Sequence, residues 1–253
     1  MIKKWKIFNL PLLLALSACS QTLTKPPQLT SSDIKAEAKR QELFIAAEHQ
    51  RQESYVNSVN TRIAQAASVL CPKLGSDAST CRYKINIEPD QDINAYATGN
   101  AVTITTAMLD FISSDHELAM IIGHEYAHNI LSHTSYQNFN TGKIAEGFFD
   151  AFVYLTQMGI MGDIKADGNA ANHTSISQEK EADYVGLYLS AMAGYDIRVA
   201  PQFWRRMSVR HPDAIYSTST HPTNPERTVA LEKAIQEINA QSSQGQGYTP
   251  VMR

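Results

Sequence analysis

Residues 124–128 read His-Glu-Tyr-Ala-His, and two histidines at that spacing make joint chemical sense on an α-helix. Side chains four residues apart stack on one helix face, so His124 and His128 can aim both imidazoles at one metal ion. Glu125 lies roughly 100° round the helix from His124. From there its carboxylate can reach a water at the metal without being a ligand itself. Two ligands, an open position and a general base are the parts of a zinc hydrolase. The flanks also predict a helix. Ser114-x-x-Glu117 has the form of a capping box, and Leu118, Ile121, Ile122 and Ile130 supply an apolar side. Gly123 costs some helicity but lets another backbone come close to the metal face. A core helix can match three fixed letters by chance, so a third ligand decides between the two readings.

A catalytic zinc takes three protein ligands. The metzincin pattern needs Gly at 131 and His at 134, where this chain has Leu131 and Thr134, and His133 stands one position out of register. Glu146 is available as a thermolysin-like third ligand but has no supporting motif. The best candidate is Glu179, in Glu179-Lys180-Glu181-Ala182-Asp183. Glu179 and Asp183 are four apart and share a face. Glu179 can ligate the metal while Asp183 hydrogen-bonds a ligand histidine and fixes its tautomer. Glu181 points elsewhere, into solvent.

The first residues do not belong to the domain. Lys3, Lys4 and Lys6 precede an apolar run from Ile7 to Leu16, which Leu16-Ser17-Ala18-Cys19 closes. That run is too short for a permanent membrane span, and small residues before a cysteine fit a cleavage site. The ending resembles the lipobox of bacterial lipoproteins. The resemblance implies a leader at 1–18, acylation of Cys19 and a stable lipid anchor. Ser20, in place of Asp, implies the outer membrane, with the protein facing the periplasm. Removing 1–18 takes three lysines and no acids, moving the formal charge from −3 to −6. With no basic patch, nucleic acid is excluded as a partner. Cys71 and Cys81 bracket a loop with Pro72, Gly75 and Ser76; in an oxidising compartment they predict a disulfide. Free thiols or zinc ligands are the alternatives, and zinc is the poorer of these because no histidine or second cysteine pair is near.

The remainder predicts an α+β fold: a mostly helical domain over 32–240, with a small antiparallel sheet beside the metal helix. Residues 19–31 read as a tether, and 32–70 as a helical arm with Leu43, Ile45, Tyr55, Val59 and Ile63 as spaced apolar positions. The arm either packs on the domain or binds a partner. Tyr83–Glu88, Ile93–Ala97 and Ala101–Thr105 read as strands, the last two joined by a Gly99-Asn100 hairpin. Such a sheet can hold an extended peptide by β-augmentation, with Asn94, Ala95, Tyr96 and Ala97 nearest the site; a plain core sheet is the alternative. The apolar stretch 144–161 reads as a core helix, a lid or a contact surface, and is too short to span a bilayer. Helices are expected at Ser177–Ala193, after Asp196 and at Pro225–Ala240, and a disordered polar tail at 241–253.

The order of motifs resembles the zinc metallopeptidases of the HtpX, BepA and CAAX-prenyl-protease type, the gluzincins. The carriers are His-Glu-x-x-His, Glu-x-x-Ala-Asp, Asn94-Ala95-Tyr96-Ala97, and Ser219-Thr220-His221-Pro222 with Arg227. The resemblance covers roughly residues 87–231. It implies one zinc per chain on His124, His128 and Glu179, with Glu125 as base and Asp183 orienting a ligand. It also implies that His221 and Arg227 lie over the site and stabilise an oxyanion, or that His221 closes it. Protein or peptide substrates and envelope protein partners follow from the same resemblance. The competing expectation is a zinc-bound chaperone or binding module held closed by His221.

Overall fold

The computed structural model describes residues 24, 26–133, 176–216, 222–245 and 247–252. Contacts divide the chain into two units at Ala47 and Glu48. Helix α1 (Ser31–Leu70) begins in the first unit, where Thr30 and Asp33 cap it reciprocally. Ion pairs at i,i+3 spacing line this solvated segment, and Leu43 and Ile45 are exposed rather than packed. In the second unit the same helix becomes amphipathic: Val56, Val59, Ile63, Ala67 and Leu70 recur at helical spacing and are buried.

A 3-10 turn at Cys71–Leu74 leads into a loop closed by the Cys71–Cys81 disulfide. Three strands follow: β1 (Lys84–Glu88), β2 (Ala95–Ala97) and β3 (Ala101–Thr105). Their order is β1-β3-β2. β2 and β3 form the expected antiparallel hairpin, with Gly99 in the left-handed region at φ +89°. β1, however, joins β3 in parallel, so the sheet is mixed. The short turn forces β2 and β3 together, and β1 takes the remaining side of β3, reached by a crossing rather than a hairpin. β2 is thus an outer strand, and it packs on the metal helix.

Thr105 caps the short helix α2 (Thr106–Phe111), and Ser114 caps α3 (Asp115–Ile130). Glu117 completes the start of α3 by accepting from Ser113 N–H at 2.8 Å and holding Arg206 through two 2.6 Å bonds. Every residue of α3 from Glu117 to Ile130 is buried. α4 (Ile176–Met192) lies along it, followed by α5 (Ala200–Arg210) and α6 (Asn224–Ser243). A full capping box between Thr223 and Glu226, with Pro225 in the first turn, starts α6. Where composition predicts a disordered tail, Gln241 both donates to Thr249 O and accepts from Thr249 N–H, and Val251 N–H reaches the Tyr184 hydroxyl. None of the described helices is long and apolar enough to cross a membrane.

Candidate metal centre

The site begins with two glycines. A Cβ on Gly186 would lie 2.6 Å from His124 N and 2.8 Å from Gly123 C, and one on Gly123 would lie 2.6 Å from Gly186 O. The backbones of α3 and α4 therefore touch where neither carries a side chain, as Gly123 alone foreshadows. Ser190 secures the contact by donating to Ala119 O at 3.1 Å. This approach brings Glu179, on the first turn of α4, against the histidines of α3.

The two Nε2 atoms of His124 and His128 stand 3.0 Å apart. Glu179 Oε2 is 3.5 Å from the first and Oε1 is 3.5 Å from the second. All three residues are buried, Glu179 completely. A tetrahedral zinc with arms of about 2.0–2.2 Å has ligand–ligand edges of roughly 3.3–3.6 Å. The two edges to Glu179 match this, and the edge between the histidines is about 0.3 Å shorter. The donor set thus fits zinc with a small outward movement of one imidazole, and among the described residues these three form the one cluster that does.

Each histidine is oriented from behind. Asp183 Oδ1 lies 3.0 Å from His124 Nδ1, so Nδ1–H donates to the carboxylate and Nε2 faces the ligand cluster. Arg227 grips that carboxylate from Nε at 2.7 Å and from Nη2, while its guanidinium lies 3.6 Å over the Trp204 ring. The structure therefore gives Arg227 to Asp183, so that it reaches the metal ligands through another residue. Burial depresses His124, but hydrogen bonds to Asp183 and Glu179 outweigh it and hold the group up at about 9. Burial dominates at His128 and pulls it to about 4.

Sequence reasoning missed what stands behind His128. Ser132 adopts φ +59°, a left-handed turn rare for a residue with a side chain. It folds the chain back so that His133 Nδ1 meets His128 Nδ1 at 3.0 Å, while His133 Nε2 lies 3.3 Å from Glu181. Glu181 is half exposed, as its spacing predicts, yet it ends this second chain of contacts. The spacing of His133 gives no sign of this, because the helix ends between the two histidines.

Glu125 is buried beside the ligand set, and burial, with Glu179 adding to it, pushes its carboxyl up to about 8. The Ala97 backbone N–H draws that carboxyl down, but by less than burial raises it. The segment Asn94-Ala95-Tyr96-Ala97 thus lies against the expected base, with Asn94 and Ala95 buried. Asn94 O and Thr98 N–H bond toward β3, so Ala95 and Ala97 turn their backbone groups the other way. A cavity beside Glu125 is lined by Ala95, Met120, Ile121, Trp204 and Leu231. His221, Cys19, Glu146 and the stretch 144–161 lie outside the described residues.

Comparison with known proteins agrees with this geometry. The mitochondrial metalloendopeptidase OMA1 of Arabidopsis thaliana is 32% identical over 162 residues, covering 60% of this chain and 31% of the relative. The Schizosaccharomyces pombe OMA1 is 25% identical over 177 residues, covering 68% and 52%. The human OMA1 is 27% identical over 184 residues, covering 65% and 34%. The chain spans about a third to a half of the length of these relatives. The model of Peptidase family M48 matches residues 51–235, a span that holds the ligand cluster, Glu125, the β2–β3 hairpin and Arg227. On that match the chain belongs to peptidase family M48.

Proposed function

We propose that this chain is a zinc-dependent endopeptidase of the bacterial envelope, anchored by lipid at Cys19 to the outer membrane and acting on misfolded or membrane-associated proteins. The observation that carries the catalytic part is the buried His124–His128–Glu179 cluster with Glu125 beside it. Zinc held there supplies Lewis-acid polarisation of the scissile carbonyl and lowers the pKa of water. The chain's own residues do the rest. Glu125 accepts the proton of the attacking water and passes it to the leaving amine, from its buried place beside the ligand cluster. Asp183 and His133 hold the ligand imidazoles in one tautomer each. The substrate lies extended along β2, against the backbone of Ala95 and Ala97. The envelope assignment rests on the leader, the Cys19 ending and the cysteine pair, which resemble those of the bacterial lipoprotein metalloprotease LoiP (YggG).

The test is casein cleavage by a soluble form starting after Cys19, beside its Glu125→Gln variant, with bound zinc measured in both. Zinc in both and cleavage by the wild type alone is the expected result. Zinc in both and cleavage in neither would replace the enzyme with a closed binding module. Radiolabelled palmitate on Cys19, lost in Cys19→Ala, tests the anchor.

A further inference from the structure

Asn129 follows the ligand His128 directly and sits four residues after Glu125, so Glu125 and Asn129 share one face of α3. It is 7% exposed. Its Oδ1 accepts from Gly99 N–H at 2.6 Å, and its Nδ2 donates to Ala101 O at 3.0 Å. One side-chain amide thereby grips both arms of the β2–β3 turn. The grip needs a donor and an acceptor on one short planar group, which Asn provides at neutral pH and an ionised Asp does not. Ala101 O also accepts from Thr98 N–H, so the turn is closed and clamped at the same carbonyl.

The hairpin is thus held to the metal helix through its turn, by both bonds of Asn129, while β2 packs along that helix. One bond alone would leave the turn free to pivot; two, one to each arm, fix its distance and its tilt. We propose that Asn129 is a positioning residue for substrate: it sets where β2 presents an extended peptide relative to Glu125 and the metal ligands. This rests on the endopeptidase reading with substrate along β2.

The experiment compares zinc-loaded wild type, Asn129→Ala and Asn129→Asp on a fluorogenic peptide spanning a casein site that the wild type cuts. Zinc affinity is measured in parallel by chelator competition. Asn129→Ala raises KM by about tenfold, on the order of what two weakened peptide hydrogen bonds are worth. Its kcat and zinc affinity stay within about twofold of the wild type, because neither ligand nor base is touched. Asn129→Asp keeps the bond from Gly99, sets a carboxylate against Ala101 O, and raises KM in the same way; it carries the test if the alanine variant does not fold. An unchanged KM overturns the proposal, and so does a fall in kcat or zinc affinity with KM fixed. Failure of the underlying reading looks different: the wild type cleaves nothing, or Glu125→Gln cleaves equally well.

Discussion

Replacing Gly186 by Ala should damage the metal centre without altering any ligand. The new Cβ would stand 2.6 Å from His124 N, 2.7 Å from His124 Cα and 2.8 Å from Gly123 C. All three are backbone atoms and cannot rotate away. Relief to an ordinary contact of about 3.4 Å requires α4 to retreat from α3 by about 0.8 Å. Glu179 travels with α4, whereas zinc–ligand distances tolerate only about 0.2 Å. Zinc affinity should therefore fall by more than tenfold. Stability has two opposed contributions: overpacking costs about 1–3 kcal/mol, and Gly→Ala in a helix returns about 1 kcal/mol. A backbone clash belongs at the upper end, leaving a net loss of about 1–2 kcal/mol, or roughly 2–8 °C in Tm for a domain of this size. Chelator competition and thermal unfolding of the metal-free protein measure the two effects. A variant with wild-type zinc affinity and a raised Tm would refute the reasoning, since helix propensity alone would then decide.

Glu179→Ala should lose zinc and activity together, while Glu146→Ala keeps both; metal analysis that reversed the pair would displace Glu179 as third ligand. Replacing Cys71 and Cys81 by serine should lower stability by about 2–3 kcal/mol on the chain-entropy estimate, read by denaturant unfolding, with the zinc stoichiometry of the folded protein unchanged. Burial pushes the Glu117 carboxyl up, but Arg206 and Ser113 N–H outweigh it and hold it below the usual 4.5. Its stabilisation is therefore complete above that value and is lost as pH falls through the lower folded one. Glu117→Gln should flatten this part of the acid limb in a Tm–pH series. Arg206→Ala should cost about 2 kcal/mol at neutral pH, less than a fully buried pair, because Arg206 is 36% exposed.

The metal helix was legible because its period, its Ser114 cap and its ligand spacing all state the same thing locally. Gly123 even announced a neighbouring backbone, although only the fold shows that Gly186 answers it. Glu179 could be picked out because Asp183 repeats the four-residue spacing on the same helix. Residues whose meaning depends on a distant partner were not legible. His133 needs the left-handed Ser132 to reach His128, and Asn129 needs the hairpin tip delivered to it. The tail beyond Ser243 reads as polar and Gly-rich, yet Gln241 and Tyr184 hold it through bonds that composition cannot express. The parallel pairing of β1 with β3 depends likewise on which side of the hairpin remains available, not on any strand's own pattern.

The pairing of Asp183 with Arg227 has a consequence when the site is counted as charge. Glu125, Glu179 and Asp183 are buried carboxylates, and Arg227 is the buried guanidinium among them. With all of them ionised and both histidines neutral, as metal ligands are, the cluster carries a formal deficit of two, which a divalent cation closes and a monovalent one does not. The same deficit contributes to the readiness with which the Glu125 carboxyl holds a proton. Arg227, contributed by α6 far along the chain, thus helps to set the valence that the cluster accepts, as well as the direction in which His124 points.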